Sequence, residues 1–456
     1  MAEKTKRTLM KIVAPEDRKN NYLPFISTYS EEELKEETSR CLNCPKPFCV
    51  EGCPIHNRIP EFIQFAKEEK FAEAFALIRE KSCLSDICAT VCPHEKQCEG
   101  HCIRNKIDEP IAIGAIERYI SEWAIRHNAL EVKKPNSNHI KVACIGAGPA
   151  SMACAEILAE EGYEVDIFEK QDYIGGVLTW GIPSYRLKKE SIDVHIKRLK
   201  DLGVSFHLNT DILKETTLEE LKDKYAAIFV GTGAPIPNTM HMEGEDLEGV
   251  FDAYTFLKET NVQDVDENGR KHFDGCGKNV IVCGGGNAAM DAARNAIRLP
   301  QVESVKILYR RSEEEMPACV EELEHAKEEG IAFMTLYTPV KCMGEDGKLN
   351  MVECAIMELG EPDESGRRRP IESNQEHLFI PCDTLIMAVG FNNDPGLNHE
   401  VDTTKWGNFI IDEEGRTSLP YVYAGGDLVT GANTVVEAMK AGILAAKTIK
   451  KDLEVL

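Results

Sequence analysis

The segment from Lys141 to Lys170 constrains the fold more than any other part of the chain. Its sequence, KVACIGAGPASMACAEILAEEGYEVDIFEK, predicts a strand, a glycine turn, an alanine-rich helix and a second strand. Gly146 permits the tight turn, and Gly148 lets the backbone approach a pyrophosphate at the positive end of the helix. Glu169 stands where a carboxylate accepts hydrogen bonds from a ribose. The segment therefore predicts a dinucleotide-binding fold, although a glycine turn that only packs a helix on a sheet would give the same short motif.

Two features after the glycine turn favour FAD over a nicotinamide nucleotide in this first fold. Pro149 follows the second glycine directly, and residues 175–187 read GGVLTWGIPSYRL. Ser151 stands at the third small position of the motif and is small enough to let the helix lie close to the strand. A buried strand over 225–233 ends in a further glycine turn. Gly233 in that turn either approaches the adenine half of the nucleotide or only ends a strand.

A second fold of the same design begins after Lys278, where the sequence reads NVIVCGGGNAAMDAAR. Gly284 and Gly286 have the dinucleotide spacing, and the next strand, VKILYRR, ends in Arg310 and Arg311. A carboxylate at that place would repel a 2′-phosphate, whereas two guanidinium groups bind it in bidentate fashion. The second fold therefore favours NADP(H) over NAD(H), unless the two arginines are only a solvated loop.

The charge of the chain excludes several classes of partner. With 53 basic and 77 acidic residues the net charge is -24, which argues against nucleic acid and anionic membranes. No apolar run reaches the roughly 18 residues of a membrane span, and the N-terminal segment lacks the apolar core of a signal peptide. We therefore expect a cytoplasmic protein. The charged segment EELEHAKEEG (321–330) reads as a solvated helix face. GRRRP (366–370) reads as surface charge, with a second phosphate clamp as the alternative.

Nine of the 17 cysteines lie between Cys41 and Cys102. Because thiols are kept reduced in the cytoplasm, metal or redox chemistry explains them better than disulfides do. Close runs that end in Cys-Pro are typical of ferredoxins, whereas zinc ribbons have paired C-x2-C units, which only Cys41 and Cys44 provide. The spacing favours iron–sulfur clusters, with two structural zinc ions as the alternative. The two runs are Cys41, Cys44, Cys49 and Cys53, followed by Cys88, Cys92, Cys98 and Cys102.

These cysteine runs, the segment IAIGAIERYI and the GAGPA turn together resemble the glutamate synthase small-subunit family. The sequence is similar also to the N-terminal part of dihydropyrimidine dehydrogenase and to the large subunit of electron-bifurcating ferredoxin:NADP oxidoreductases. The resemblance extends from about residue 40 to the C-terminus and implies two 4Fe-4S clusters, with ligands that cross between the runs. The first cluster would be bound by Cys41, Cys44, Cys49 and Cys102, and the second by Cys53, Cys92, Cys98 and Glu117.

Glu117 is assigned through the resemblance, because these relatives place a carboxylate or amide ligand at its position in IAIGAIERYI. Without the resemblance it would read as an ordinary solvated glutamate on a helix. A glutamine here would have favoured the pyrimidine-reducing relatives. Cys83 and Cys88 have no place in the ligand pattern and read as buried thiols.

The resemblance also implies an α/β fold, in which an α-helical iron–sulfur domain precedes two Rossmann-like nucleotide-binding domains. The helical domain would span 1–135. The FAD-binding domain would span 139–270 and 385–456, and the NADP(H)-binding domain of 271–384 would be inserted into it. The run CDTLIMAVGF, which begins at Cys382, would then be a strand that returns to the FAD fold.

In the same family the loop with Gly176 and Arg186 lies along the flavin. Asp427 would meet its ribityl and phosphate region, and a helix that starts near Thr434 would point its positive end at an anionic reduced flavin. The predicted cofactor-binding residues are Gly146, Gly148, Pro149, Ala150, Glu169, Gly176, Arg186, Gly233, Gly284, Gly286, Asn287, Ala288, Arg310, Arg311, Gly426, Asp427 and Thr434.

The predicted function is that of an oxidoreductase subunit that passes electrons from NADPH through FAD and two 4Fe-4S clusters to a partner protein. Hydride transfer depends on orientation, so no catalytic side chain is predicted. The partner would be a glutamate synthase large subunit, or alternatively the other subunit of a bifurcating NADH/ferredoxin:NADP transhydrogenase. The second fold lacks a C-x-x-C motif, which disfavours disulfide exchange. A zinc-bearing scaffold with decayed nucleotide folds is the non-enzymatic alternative, and the intact glycine motifs argue against it.

Overall fold

The computed structural model describes residues 5–263, 265–266, 268–363, 366–394 and 400–454. As far as residue 126 the regular structure is helical, because apolar residues recur at helical spacing and bury one shared face. A capping box of Ser30 and Glu33 starts the second helix. The helices are α1 (Pro15–Arg18), α2 (Glu31–Ser39), α3 (Phe48–Glu51), α4 (Ile59–Lys67), α5 (Phe71–Arg79), α6 (Ser85–Val91) and α7 (Ile113–Arg126), with a 3-10 turn at Ile103–Lys106.

From residue 141 onward strands and helices alternate. The first group of elements is β1 (Lys141–Ile145), α8 (Pro149–Glu160), β2 (Glu164–Phe168), α9 (Val177–Trp180), α10 (Lys189–Leu202), β3 (Ser205–His207), α11 (Ile212–Glu215), α12 (Leu218–Leu221), β4 (Ala227–Val230) and β5 (Ile236–Pro237). The second is β6 (Val250–Asp252), α13 (Ala253–Asn261), β7 (Asn279–Cys283), α14 (Asn287–Ala296), β8 (Ser304–Tyr309), α15 (Val320–Glu328), β9 (Ala332–Thr335), β10 (Tyr337–Glu345), β11 (Lys348–Pro362), β12 (Arg368–Glu372), β13 (Leu378–Pro381), β14 (Thr384–Met387) and β15 (Phe391–Asn392). The last is β16 (Val422–Ala424), α16 (Asp427–Thr430) and α17 (Val435–Leu453).

The first sheet is parallel, with its strands in the order β16, β4, β1, β2 and β3. Every residue of β4, and all of β1 after Lys141, is buried, as expected for parallel strands covered by helices on both faces. The helices α8 and α17 pack together beside this sheet. The chain leaves the sheet after β4 and returns to it only with β16.

The second sheet is also parallel, in the order β6, β14, β7, β8 and β9. The strand after Cys382 is therefore β14 of the second sheet, and its predicted return to the FAD fold is wrong. A short, fully buried apolar run has the same pattern in any parallel sheet. The sequence therefore did not show whether this strand belongs to the first or to the second parallel sheet. Since β6 lies in this sheet as well, the boundaries predicted at residues 271 and 384 cut through it.

Two smaller sheets complete the second group of strands. β10, β11, β12 and β13 form an antiparallel sheet, in which the hairpin of β11 and β12 projects toward the end of β8. The strands β5 and β15 pair as a two-stranded link where the chain passes between the two parallel sheets. No helix in the described part of the chain has both the length and the apolar character that crossing a membrane requires.

A buried ionic network fixes the N-terminal arm to the second sheet. Glu329 accepts hydrogen bonds from Arg18 at 2.9 Å, from Arg294 at 2.8 Å and from Arg298 at 2.6 Å. Arg294 also pairs with Glu322. The segment 321–330, predicted to be a solvated helix face, is therefore partly buried, and the prediction is wrong there. We call this set, with Arg186 and Asp291 described below, the ionic network.

Replacing Glu329 should destabilise the protein strongly. Its side chain is fully buried, and removing it would leave three guanidinium groups without their shared carboxylate, so we expect Glu329→Ala to cost about 3–5 kcal/mol in the free energy of unfolding. The adjacent Glu328, half exposed, also pairs with Arg18, and Glu328→Ala should cost no more than about 1 kcal/mol. Chemical unfolding of both variants measures the difference. Equal losses of unfolding free energy would contradict the role of Glu329 as the shared carboxylate of the three arginines.

The same carboxylate should make stability depend on acid pH. Burial alone would raise the pKa of Glu329, but the hydrogen bonds from Arg298 and Arg294 outweigh it and lower the pKa below the ordinary value of 4.5. The folded state is thus stabilised above that value, and the contribution is lost as the pH falls below it. The free energy of unfolding of Glu329→Ala, measured at several acid pH values, should lack this part of the pH dependence.

Candidate cofactor-binding sites

A cavity of about 810 Å³ is lined by residues of both parallel-sheet folds, including both glycine turns. Of the predicted cofactor-binding residues, all except Arg186 line it. They are Gly146, Gly148, Pro149, Ala150, Glu169, Gly176, Gly233, Gly284, Gly286, Asn287, Ala288, Arg310, Arg311, Gly426, Asp427 and Thr434. The fold thus brings together, in one continuous space, residues that the sequence separates by almost 300 positions.

The first glycine turn is held from both sides and opens toward the cavity. Gly146 has a φ of 89°, and a Cβ at this residue would lie 2.7 Å from the carbonyl oxygen of Gly231, so only glycine fits. A Cβ at Gly148 would meet no heavy atom within 4 Å. Gly148 is the N-cap residue of α8, and no side chain caps the helix. Its first N–H groups are therefore left for an anion, as a pyrophosphate site requires.

Glu169 braces this turn. One of its carboxylate oxygens accepts a hydrogen bond from the Ala147 N–H at 2.8 Å, and the other accepts one from the Gln171 N–H at 2.9 Å. Each carboxylate oxygen has a second lone pair, so these bonds leave acceptor capacity for a ribose hydroxyl. The contact between Glu169 and a ribose stays a prediction. The side chain lines the cavity, which is where that contact would form.

The third side of the cavity comes from the C-terminal elements. Asp427 accepts a hydrogen bond from the Asn433 N–H at 3.1 Å, and burial raises the pKa of Asp427 to about 6 although that bond acts against it. Thr434 is the N-cap residue of α17, and again no side chain caps the helix. The hydroxyls of Thr434 and of Thr232 are buried and have no hydrogen-bond partner among the residues that the structure describes. Unpaired buried hydroxyls at a cavity wall suit a polar ligand such as FAD.

An aromatic wall lies where the two folds meet, and the sequence analysis missed it. The rings of Trp180 and Tyr254 are 4.5 Å apart in an edge-to-face arrangement, and Phe391 lies 6.0 Å from Trp180. All three line the cavity. They come from α9, α13 and β15, and no short motif could have indicated that they converge. Flat apolar side chains at this point are suited to contact planar ring systems.

The second glycine turn repeats the design of the first. Gly286 is the N-cap residue of α14, where no side chain caps the helix, and a Cβ on it would have Pro317 as its one neighbour among the described residues, at 3.9 Å. The side chain of Asn287 accepts a hydrogen bond from the Cys319 N–H at 2.8 Å, which fixes the loop before α15 against the turn. Arg310 and Arg311 follow β8 at the same end of the cavity. These features fit a second dinucleotide phosphate site.

Arg186 lies outside the described cavity wall. Its Nη1 donates to both carboxylate oxygens of Asp291 at 2.8 Å, and its Nε lies 2.9 Å from Glu322. It therefore ties the loop after α9 to α14 and α15 as part of the ionic network. The loop lines the cavity through Gly176 and Trp180 instead.

The first predicted cluster site is a pocket at the edge of the helical core. All four of its cysteines line the pocket, and Cys49 packs against the helical core. Burial, and then the neighbouring Cys102 and Cys41, raises the pKa of Cys49 to about 12. Thiols that disfavour their charged form in the protein alone are compensated when a metal cation replaces the proton. The pocket is lined by Cys41, Cys44, Cys49 and Cys102 together with Leu42, Phe48 and neighbouring apolar side chains.

The second predicted cluster site lies deeper. Burial raises the pKa of the Cys98 thiol, and the nearby Glu99, Cys53 and Glu117 raise it further. The pKa of the Cys92 thiol is raised by its contact with Cys88 and by burial, with smaller effects from Glu117 and Cys98. Burial, with a smaller effect from the nearby Asp86, raises the pKa of Glu117 to about 8. Glu117 is partly exposed, and it accepts a hydrogen bond from the side-chain amide of Asn57 at 3.4 Å. Its assignment as a ligand remains a prediction.

Cys83 and Cys88 are buried thiols, as predicted. Cys88 lies one helical turn before Cys92, within hydrogen-bonding reach of its thiol. No group of three or more His, Cys, Asp and Glu side chains that could hold a metal ion is found in the residues described above. A 4Fe-4S cluster makes a different demand, because its four ligands are shared among several iron atoms.

Two family profiles together match most of the chain. The family described as dihydropyrimidine dehydrogenase domain II, 4Fe-4S cluster, matches residues 18–129, and pyridine nucleotide-disulphide oxidoreductase matches residues 140–442. The first match covers the two cysteine runs, and the second covers both glycine turns and α16. Each match coincides with one of the two kinds of site described above.

Several characterised proteins are similar over almost the whole chain. The glutamate synthase (NADPH) small chain of Escherichia coli K12 is 37% identical over 96% of this chain and 95% of its own length. The NADP(+)-dependent formate dehydrogenase subunit beta of Moorella thermoacetica is 37% identical over 90% of this chain and 60% of its own. The NADPH-Fe(3+) oxidoreductase subunit beta of Geobacter sulfurreducens strain PCA is 38% identical over 89% and 63%.

Solved structures show the same fold at low identity. Mycobacterium tuberculosis FprA in complex with NADPH superposes with a TM-score of 0.59 at 19% identity and covers 69% of this chain and 85% of its own. The thioredoxin reductase of T. acidophilum superposes with a TM-score of 0.52 at 19% identity, over 69% of this chain and 98% of its own. Both indicate the arrangement of two nucleotide-binding folds.

Proposed function

Because the chain belongs to the pyridine nucleotide-disulphide oxidoreductase family and is homologous over nearly its whole length to glutamate synthase small chains, we propose that it carries electrons between NADPH and a partner subunit, through FAD and two 4Fe-4S clusters. The observation that carries the proposal is the continuous cavity that joins both glycine turns. A nicotinamide held by the second turn and a flavin held by the first would share that space at the aromatic wall.

The residues around the cavity have binding and orienting roles. When bound, NADPH supplies a hydride, FAD accepts the electron pair and 4Fe-4S clusters carry single electrons. The open N-termini of α8 and α14 would each hold a pyrophosphate, and Trp180 and Tyr254 would exclude water and orient the rings. No acid or base is required of the protein for hydride transfer, so no side chain is proposed as a catalytic group.

The two thiol sites suggest the order of electron transfer. Thiols of both sites pack in or against the helical core, Cys98 and Cys53 of the second site as well as Cys41 and Cys49 of the first. Cys92 of the second site packs in addition against the core of the first nucleotide fold, so the second site adjoins that fold. Phe48 and Leu42, beside the first site, are 53% and 40% exposed. We place the second site on the cavity side and the first site at the surface, where a partner would dock.

The proposed domains follow this arrangement. The helical region to about residue 135 would bind the clusters, and the first sheet with α8 and α17 would bind FAD. The elements from Val250 to Met387, which include the whole second sheet, would bind NADP(H). This division replaces the boundaries predicted at residues 271 and 384.

A glutamate synthase large subunit is the partner that the homology favours. A second candidate is a complex of another kind, such as a bifurcating transhydrogenase. It is supported by equally similar relatives that are named as beta subunits of a formate dehydrogenase and of an Fe(3+) oxidoreductase. Identification of the protein that co-purifies with this chain decides between the two.

NADPH should bleach the flavin of the purified chain, without oxygen, at least about tenfold faster than NADH does, because arginines rather than a carboxylate follow β8. Stopped-flow absorbance at equal nucleotide concentrations measures both rates. Comparable rates would contradict the preference for NADP(H). A colourless protein that contains two zinc ions would support only the non-enzymatic scaffold and would overturn the proposed function.

A further inference from the structure

We propose that Arg367, on the hairpin of β11 and β12, binds the 2′-phosphate of NADPH together with Arg310, and that Arg311 is a positioning residue for this hairpin. The inference rests on the proposed function, since it concerns the specificity of the same site. The sequence predicted Arg310 and Arg311 as the clamp and favoured surface charge over a second phosphate clamp for residues 366–370; the inference selects that second alternative for Arg367 and gives Arg311 another role.

The cavity wall brings the hairpin to the end of β8. Arg310, Arg311 and Arg367 line the same cavity, with Thr338 of β10 among its other lining residues. The second glycine turn follows β7, and β7 pairs in parallel with β8. The phosphate site of the turn and these guanidinium groups therefore lie at the carboxyl ends of neighbouring strands. A nucleotide on this turn would place its adenosine end toward them, as the proposed NADP(H) site requires.

Arg311 is engaged by the hairpin itself. It is 6% exposed, its Nε donates to the Arg368 carbonyl oxygen at 2.7 Å, and its Nη2 donates to Asp363 at 2.7 Å. Asp363 in turn closes the hairpin, since its N–H donates to the Arg367 carbonyl oxygen at 2.7 Å and its side chain accepts from the Arg367 N–H at 3.3 Å. Arg311 therefore holds the turn that carries Arg367.

The contacts of Arg311 separate its role from that of the other two arginines. Arg311 serves the site through Asp363 and the backbone, whereas Arg310 and Arg367 supply cationic groups from two separate elements. Two guanidinium groups that come from different elements can bind a phosphate from two sides. Two adjacent arginines at the end of one strand do this less readily.

The three consecutive arginines of the hairpin have different surroundings. Arg367 lines the cavity, and Arg368 pairs with Glu315 at 2.5 Å. Arg369 is exposed and does not line the described cavity. Arg369 is therefore a matched control, with the same charge two residues along the same hairpin.

The test compares Arg367→Ala with Arg369→Ala in the full chain. Arg367→Ala should raise KM for NADPH about 10- to 100-fold, leave KM for NADH unchanged, and keep the rate of flavin reduction at saturating NADPH, because one charge-assisted phosphate contact is lost. Binding of 2′,5′-ADP should weaken by the same factor, and binding of 5′-AMP should not change. Arg369→Ala should match the unmodified chain in every measurement. Equal behaviour of the two variants would overturn the role of Arg367.

The positioning role is tested by combining substitutions. If Arg311 acts through the hairpin, the double variant R311A/R367A should bind 2′,5′-ADP no more weakly than R367A alone does. Multiplied losses would overturn that role and make Arg311 a direct phosphate contact. If the unmodified chain prefers NADPH but R367A behaves like R369A, only this inference is refuted. An unmodified chain whose flavin is not reduced by NADPH would refute the proposed function itself.

Discussion

Gly148→Glu is expected to give a folded protein that retains almost no FAD. The backbone at Gly148 (φ −79°, ψ 178°) is open to any residue, and a Cβ there meets no heavy atom within 4 Å. The new side chain therefore fits the protein alone, but it fills the space at the N-terminus of α8 and its charge repels a pyrophosphate. We expect the affinity for FAD to fall at least about 100-fold, or about 3 kcal/mol. Visible absorbance per mole of purified chain gives the flavin content.

The matched control is the same substitution in the second glycine turn. Gly286 also has an extended backbone (φ −94°, ψ 178°) and an open Cβ position. Gly286→Glu should keep its flavin and lose rapid reduction by NADPH. Circular dichroism and thermal unfolding of both variants verify that they fold. A flavin content equal to that of the unmodified chain in Gly148→Glu would refute the assignment of FAD to the first turn.

Cys98→Ala is expected to remove one cluster and leave the other. The two thiol sites use different side chains, so iron should fall from about eight to about four atoms per chain after anaerobic purification. Reduction of the flavin by NADPH should continue, because the cavity does not include Cys98. Electron delivery to a one-electron acceptor that docks beside Phe48 should fall at least about 100-fold, since the cluster nearer the flavin is missing. Iron analysis, electron paramagnetic resonance and steady-state assays measure these three effects.

Cys83→Ala is the control for this experiment. Cys83 is buried like Cys98 but belongs to neither ligand set, so the variant should keep about eight iron atoms. A Cys102→Ala variant should also retain about four, with the spectrum of the other cluster. Loss of all iron in Cys98→Ala would contradict two independent sites, and full iron content would remove Cys98 from the ligand set.

Local patterns in the sequence were sufficient to predict the parts of the fold that depend on neighbouring residues. Both glycine turns form at the ends of buried strands, because turn, strand and helix lie within one short segment. Such motifs carry their own geometry, so they could be recognised without knowledge of the tertiary structure. The cysteine spacing alone grouped Cys53 with Cys41, Cys44 and Cys49, whereas the set implied by the family resemblance, with Cys102 in place of Cys53, is the one that lines a single pocket.

The sequence was insufficient where the outcome depends on distant partners. The run Thr384–Met387 is apolar in either sheet, and only pairing with β7 decides its place. Glu322 and Glu329 read as solvated charges because the arginines that bury them come from α14 and from the N-terminal arm. Arg367 read as surface charge for the same reason. In each case a long-range contact reverses what local composition suggests.

The ionic network also limits how the two nucleotide folds can move. A swivel of the second fold away from the first would separate Arg186 from Asp291 and from Glu322, all three of which have largely buried side chains. The separated charges would regain water, so the cost is smaller than the roughly 3–5 kcal/mol lost when one partner of a buried pair is deleted. The three contacts would still have to break together, so any rotation of the second fold is coupled to the loop after α9.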